Sequence, residues 1–123
     1  MKTTISARGL DLSADIEAAL RERFAASFMR FHHEIRAVVI QIEDVNGPKG
    51  GRDKRVRALV SLRCGEQIVA DSRRSHVLAA MHVCARRAQR LLRRTLRRRR
   101  RYERRALREL STAGPPVSDP GTA

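Results

Sequence analysis

From Val77 to Leu96 the apolar residues Val77, Leu78, Met81, Cys84, Ala85, Ala88, Leu91, Leu92 and Leu96 return every three or four positions. That interval is the signature of one buried face on an α-helix. The positions between them are largely arginine, and the arginines continue after the stripe has stopped. Residues 86–108 hold thirteen of the chain's 24 arginines. Such a segment restricts the fold from two sides at once. Its apolar face demands a second layer to pack on, and its cationic face demands either water or a counter-charge.

The charge is concentrated, which separates a binding feature from general alkalinity. The formal net charge is +14, of which residues 1–51 contribute zero, residues 52–85 contribute +4 and residues 86–123 contribute +10. This asymmetry points to a polyanionic partner. With only three lysines against 24 arginines, the cation used is the planar one that grips phosphate oxygens through two parallel hydrogen bonds. A chain of 123 residues forms one domain with a modest core. No apolar run reaches the length of a membrane span, and the opening MKTTISARGLDL lacks the apolar centre of a signal peptide. A cytoplasmic protein with Cys64 and Cys84 as reduced, buried thiols is expected.

The remainder of the chain supplies the second layer. Lys2–Ala7 reads as a strand, broken by Gly9 and Asp11. Ser13 stands at an N-cap position, and Ile16, Leu20, Phe24 and Phe28 then recur every four residues, predicting a helix over Ala14–Phe31. Ile35–Val45 is a β-branched run with Val38, Ile40 and Ile42 on one face. Val56, Ala58, Val60 and Leu62 alternate with Arg57, Ser61 and Arg63, and a shorter strand around Ile68 and Ala70 follows a tight turn at Gly65. The middle of the chain is thus an antiparallel three-stranded meander. The last helix starts near Ser75, docks as far as Leu96, and beyond it projects or frays. The predicted fold class is α+β: a two-layer β-α-β-β-β-α sandwich, its four-stranded sheet carrying both helices on one face. Residues 1–98 form the binding domain, residues 99–110 an arginine-rich helical extension, and residues 111–123 a disordered tail.

Sites for chemistry are weakly supported. Asn46–Arg55 has the glycines and lysine of a phosphate loop but the wrong spacing, and it joins two antiparallel strands, so it reads as a hairpin loop. Its Lys49, Arg52, Lys54 and Arg55 are a candidate second contact for a polyanion. His32, His33, His76 and His82 do not combine with Cys64 and Cys84 into metal-ligand spacing. His32 and His33 suit the C-terminal end of the first helix. Glu43 and Asp44, as strand neighbours, point to opposite faces. No enzyme, cofactor, metal or small-molecule substrate is expected. The candidate site is instead a basic face made of Arg86, Arg87, Arg90, Arg93, Arg94 and Arg97 on the last helix, joined by Arg23 and Arg30 on the first. Tyr102 is the one aromatic residue in the basic run, which disfavours base stacking and favours backbone and shape recognition. A general binder of double-stranded RNA or DNA has this layout too. A basic amphipathic helix on an anionic membrane is the weaker third reading.

With that element order in place, the chain resembles the ribosome hibernation promoting factor and ribosome-associated inhibitor (protein Y) family. The resemblance covers roughly Lys2–Arg98 and rests on Ile5-Ser6-Ala7-Arg8-Gly9, on Leu12 to Leu20, on Ile42 to Gly47 and on Leu78-Ala79-Ala80-Met81. It implies a protein that sits on small-subunit rRNA in the channel where mRNA and tRNA meet, and that blocks the A and P sites. It further implies rRNA contacts at Arg87, Arg90, Arg93 and Arg94, with Arg30 on the first helix, and a short, stand-alone form, monomeric off the ribosome. This sequence departs from the family pattern at Leu78, where the family has an aromatic, and at His82 and Arg86, where it has acidic residues.

Overall fold

The computed structural model describes residues 1–45 and 53–113. In chain order it contains β1 (Lys2–Arg8), α1 (Ala14–Phe28), a 3-10 segment (Met29–Glu34), β2 (Ile35–Asp44), β3 (Lys54–Leu62), β4 (Gln67–Arg74) and α2 (Val77–Ala113). The β-α-β-β-β-α order is the one expected. The four strands form one sheet in the order β1-β2-β3-β4. β2, β3 and β4 run antiparallel, whereas β1 pairs with β2 in parallel. Parallel neighbours require a crossover, and α1 is that crossover.

Local chemistry accounts for each element. The Ser13 hydroxyl accepts a hydrogen bond from the Ile16 amide at 3.2 Å, and Asp15 and Glu17 sit in the first turn, where negative charge complements the helix dipole. The α-helix ends at Phe28, three residues earlier than the periodicity predicts, and continues as 3-10 turns. Residues i and i+3 eclipse in a 3-10 helix, so Phe28 and Phe31 both stay on the buried side. In β2 the register slips between Ile35 and Ala37. That bulge at Arg36 lets Ile35 and Val38, three apart, face the same way, and both are buried. The β3–β4 hairpin turns through Arg63, Cys64 and Gly65. Gly65 has φ of 101°, and its amide bonds to the Leu62 carbonyl at 3.0 Å. A left-handed residue after a tight turn suits glycine, which has no Cβ to clash.

The chain divides into two compact units, residues 1–91 and residues 92 onward. In the first, the buried residues are Leu20, Phe24, Phe28, Val38, Ile40, Ile42, Val56, Ala58, Val60, Leu62 and their neighbours, all from one face of the sheet and the facing stripes of the helices. α2 is fastened over β4 by two side chains. The Ser72 hydroxyl donates to the Ala80 carbonyl, and the Cys84 thiol lies 3.6 Å from the Ala70 carbonyl. α1 is fastened to α2 by Gln89, whose amide donates to the Ser27 carbonyl at 3.0 Å, and to β1 by Arg21, which donates to the Thr3 carbonyl at 3.2 Å. Both helices therefore cover one face. In the second unit Leu92, Thr95 and Leu96 are buried, and no described residue after Leu96 is. α2 nevertheless stays helical through Ala113.

Three local expectations change. Cys64 is exposed, because it occupies the hairpin turn; only Cys84 is buried, and both are free. Lys54 and Arg55 are strand residues, not loop residues. Lys54 pairs with Asp44 at 3.1 Å and Arg55 with Asp71 at 2.8 Å, so carboxylates within the protein already neutralise them. Residues Ser111–Ala113, assigned to the tail, are the last turn of α2. The loop expectation for Asn46 through Arg52, and the rest of the expected tail from Gly114, lie outside the described residues.

Candidate nucleic-acid interface

The first unit contributes Arg86, Arg87 and Arg90, all exposed, on the side of α2 opposite the buried Ala85 and Ala88. At about 100° per residue these three fall within one arc of the helix circumference. Gln89 marks the edge of that arc nearest α1. Across the junction, Arg23 and Arg30 lie four and three residues either side of Ser27, the residue that receives the Gln89 hydrogen bond. Arg23 shares the Ser27 ridge of α1, whereas Arg30, expected on the first helix, lies in the 3-10 segment that follows, because the α-helix tightens after Phe28. Arg30 is exposed; Arg23 is half-buried, and its Nε is out of contact with solvent and has no hydrogen-bond partner. The structure thus brings Arg86, Arg23 and Arg30 to the two sides of one helix–helix seam. Arg87 sits at the other edge, where its guanidinium donates to the Asp71 carbonyl at 2.7 Å. That bond ties the side chain to edge strand β4 while the residue stays exposed.

In the second unit Arg93 and Arg94 are exposed between the buried Leu92 and Leu96, and Arg97 is exposed directly after Leu96. The same alternation of buried apolar and exposed cationic positions therefore holds there independently.

Electrostatics separates these arginines from the others. Between Val77 and Tyr102 the sequence contains no carboxylate, so no acidic side chain three or four residues away within α2 can offset Arg86 to Arg97. The sheet's open face behaves differently. There Arg55 binds Asp71 through Nε at 3.0 and 3.1 Å and Nη2 at 2.8 Å, and its Nη1 lies 3.8 Å from Glu43. Partial burial pushes the Asp71 carboxyl upward. The hydrogen bonds and charge of Arg55, the charge of Arg57 and a backbone bond from Ser72 outweigh it and hold the carboxyl below its usual range. The Arg55 guanidinium is correspondingly pushed up, first by its hydrogen bond to Asp71 and then by the charge.

A pH dependence follows. A carboxyl depressed in the folded state contributes stability above its unfolded value of about 3.9, and that contribution is lost as the pH falls through the folded value. The gap in urea midpoint between the wild type and D71N should therefore be largest near neutrality and shrink in acid. Its size stays below about 1 kcal/mol, because Asp71 is 42% exposed and surface pairs are screened by water. A gap that stays constant into acid would show that the pair contributes nothing through charge.

Two features escaped the sequence pattern. Gln89 reads as one more polar position on a basic helix, yet it is the tie between the helices. On the sheet's open face, Ser6, Arg8, Gln41, Glu43, Arg55 and Arg57 line a hollow of about 440 Å³. The outward positions of β2 and β3 are polar in the sequence, but which ones sit side by side depends on strand register. Burial pushes the Cys84 thiol up to about 12, with the Asp71 charge adding to the effect, which disfavours its thiolate. Among the described residues no cluster of metal-binding side chains occurs and no helix is long and apolar enough to cross a membrane.

Fold and site together define a small α+β domain with a cationic helical face. The family model described as sigma 54 modulation protein / S30EA ribosomal protein matches residues 3–100, and the chain belongs to that family, a family of ribosome-associated factors. Two solved structures share the fold. A ribosomal subunit interface protein from Coxiella burnetii is 21% identical, with a TM-score of 0.62 over 77% of this chain and 97% of that one. The Thermus thermophilus Protein Y N-terminal domain is 16% identical, with a TM-score of 0.62 over 77% of this chain and 99% of that one. No curated protein matches.

Proposed function

We propose that this chain is a cytoplasmic, non-enzymatic inhibitor of translation that binds small-subunit rRNA in the channel used by mRNA and tRNA and blocks the A and P sites. The observation that carries this is the outer face of α2 in a member of this family: exposed arginines on a helix whose opposite side is locked into a core, with no carboxylate between Val77 and Tyr102 to satisfy them. A rigid cationic face loses little entropy on meeting a rigid row of phosphates, so affinity comes from Arg–phosphate pairs and selectivity from the shape that holds them. Inhibition by occupancy requires no chemistry. It needs the folded domain to fill space that mRNA and tRNA would otherwise enter, without cofactor or small-molecule substrate.

The test is sedimentation of the full chain with purified small subunits, large subunits and naked duplex RNA across a salt series, paired with a cell-free translation assay. Preferential binding to small subunits and inhibition of translation at matching concentrations are expected. Binding should weaken steeply with salt, by about 0.7–0.9 in log–log slope per neutralised phosphate. Equal affinity for naked duplex and small subunits would instead support a general duplex binder, which the element order also accommodates.

A further inference from the structure

The stretch of α2 past Leu96 carries a second, separable pattern. Arg97, Arg101, Arg104 and Arg108 follow one another at intervals of four, three and four residues. On a helix those intervals form a straight ridge about 60° wide and about 16 Å long. All four side chains are exposed, within a segment that is helical throughout. The two carboxylates of this segment, Glu103 and Glu109, lie off the ridge, as do Tyr102, Ala106 and Leu110 on the far side. The match to the family ends at residue 100, so three of the four ridge arginines lie beyond the part shared with it.

We infer that this ridge is a second nucleic-acid contact, one that lies along the phosphate rows of an RNA double helix. The inference rests on the ribosome-directed reading above only for the choice of RNA. Three observations select the occupant. A straight row of cations on a helix complements a straight row of anions, and a duplex presents about one phosphate per 1.7 Å of its axis. The single aromatic residue, Tyr102, faces away from the ridge, so stacking of single-stranded bases has no platform. Between Arg97 and Arg108 there is no Asn, Gln, Ser or Thr, and the deep, narrow major groove of an A-form duplex keeps arginine from the base edges there, which leaves backbone and shape as the targets. The partner also relieves a cost internal to the helix, because arginines three and four apart repel one another.

Two full-length variants test this with equal loss of charge. One replaces the ridge beyond the first basic face (R101Q, R104Q, R108Q); the other replaces three of the remaining arginines of the segment (R98Q, R99Q, R105Q). Glutamine keeps helix propensity close to that of arginine. Affinity is measured for a blunt RNA duplex, for one of its single strands, for the matching DNA duplex and for anionic vesicles at the same salt. The ridge variant should lose at least about tenfold more duplex-RNA affinity than the off-ridge variant, with a salt slope lower by about two. Equal losses in the two variants would reduce the segment to bulk charge and overturn the inference. So would wild-type binding to single strand, DNA or vesicles as tight as to duplex RNA. Should circular dichroism show that a variant has lost helix, alanine replacements at the same positions decide instead, since alanine is the best helix former: the ridge set must still weaken binding more than the off-ridge set. Small-subunit sedimentation in parallel keeps the two readings apart. Failure of the wild type to bind subunits, with ridge-dependent duplex binding intact, removes the ribosome reading alone. Equal behaviour of the two variants on duplex, with subunit binding intact, removes the ridge alone.

Discussion

Replacing Arg87, Arg90, Arg93 and Arg94 together with alanine is expected to release the protein from small ribosomal subunits while leaving it folded. The four side chains are exposed on α2, and alanine is the best helix former, so the helix should lose nothing locally. Among the described residues, the hydrogen bond removed is that from Arg87 to the Asp71 carbonyl, an exposed bond of about 1 kcal/mol. Against that small cost stands the loss of four phosphate contacts. Each contributes about 0.7–0.9 to the slope of log affinity against log salt, so the slope should fall by about three and affinity at low salt by several orders of magnitude. Sedimentation through a gradient at two salt concentrations, with far-ultraviolet circular dichroism as the control for folding, measures both. A variant that sediments with small subunits as the wild type does would remove these arginines from the interface.

Phe28→Ala should have the largest effect on the fold itself. Phe28 is fully buried at the end of α1, its ring 5.8 Å from that of Phe24 at an angle of 54°. It sits where the α-helix tightens into 3-10 turns, so the cavity left behind is bounded by a change of backbone geometry as well as by the sheet. Truncating a buried phenylalanine costs about 3–5 kcal/mol, a large share of the 5–15 kcal/mol that stabilises a typical domain. Chemical denaturation should show a lower midpoint with an unchanged slope. A shift equivalent to less than about 1 kcal/mol would mean that the site collapses onto the gap or that the ring packs less closely than described. Because Ser27 receives the Gln89 bond next door, this variant should also loosen the seam flanked by Arg23 and Arg30.

Much of this architecture is legible in the residues. The four-residue recurrence from Ile16 to Phe28, the alternation from Val56 to Leu62 and the stripe from Val77 to Leu96 each name an element and its buried face. Only a few patterns of burial repeat in that way, so the reading is constrained. The outward arginines follow as the complement of the stripe. Where the reading went astray, non-local contacts decide. Whether Lys54 and Arg55 belong to a loop or a strand depends on Asp44 and Asp71 being placed beside them. Cys64 looks like any small apolar residue until the turn that exposes it closes through Gly65. The end of α1 is set by Phe31 swinging inward, which periodicity at 3.6 residues does not anticipate.

By itself the sequence determined the element order, the buried stripes and the concentration of arginine on one helix, because these depend on intervals along a single chain. Tertiary structure alone decided which residues stand side by side: the parallel pairing of β1 with β2, the bulge that turns Ile35 inward, and the bond from Gln89 to Ser27 that sets Arg23 and Arg30 along the same seam as Arg86. The reason is physical. Periodicity records which side of an element avoids water, whereas register and helix pairing depend on shape and hydrogen bonding between segments up to 62 residues apart, as at the Gln89–Ser27 bond.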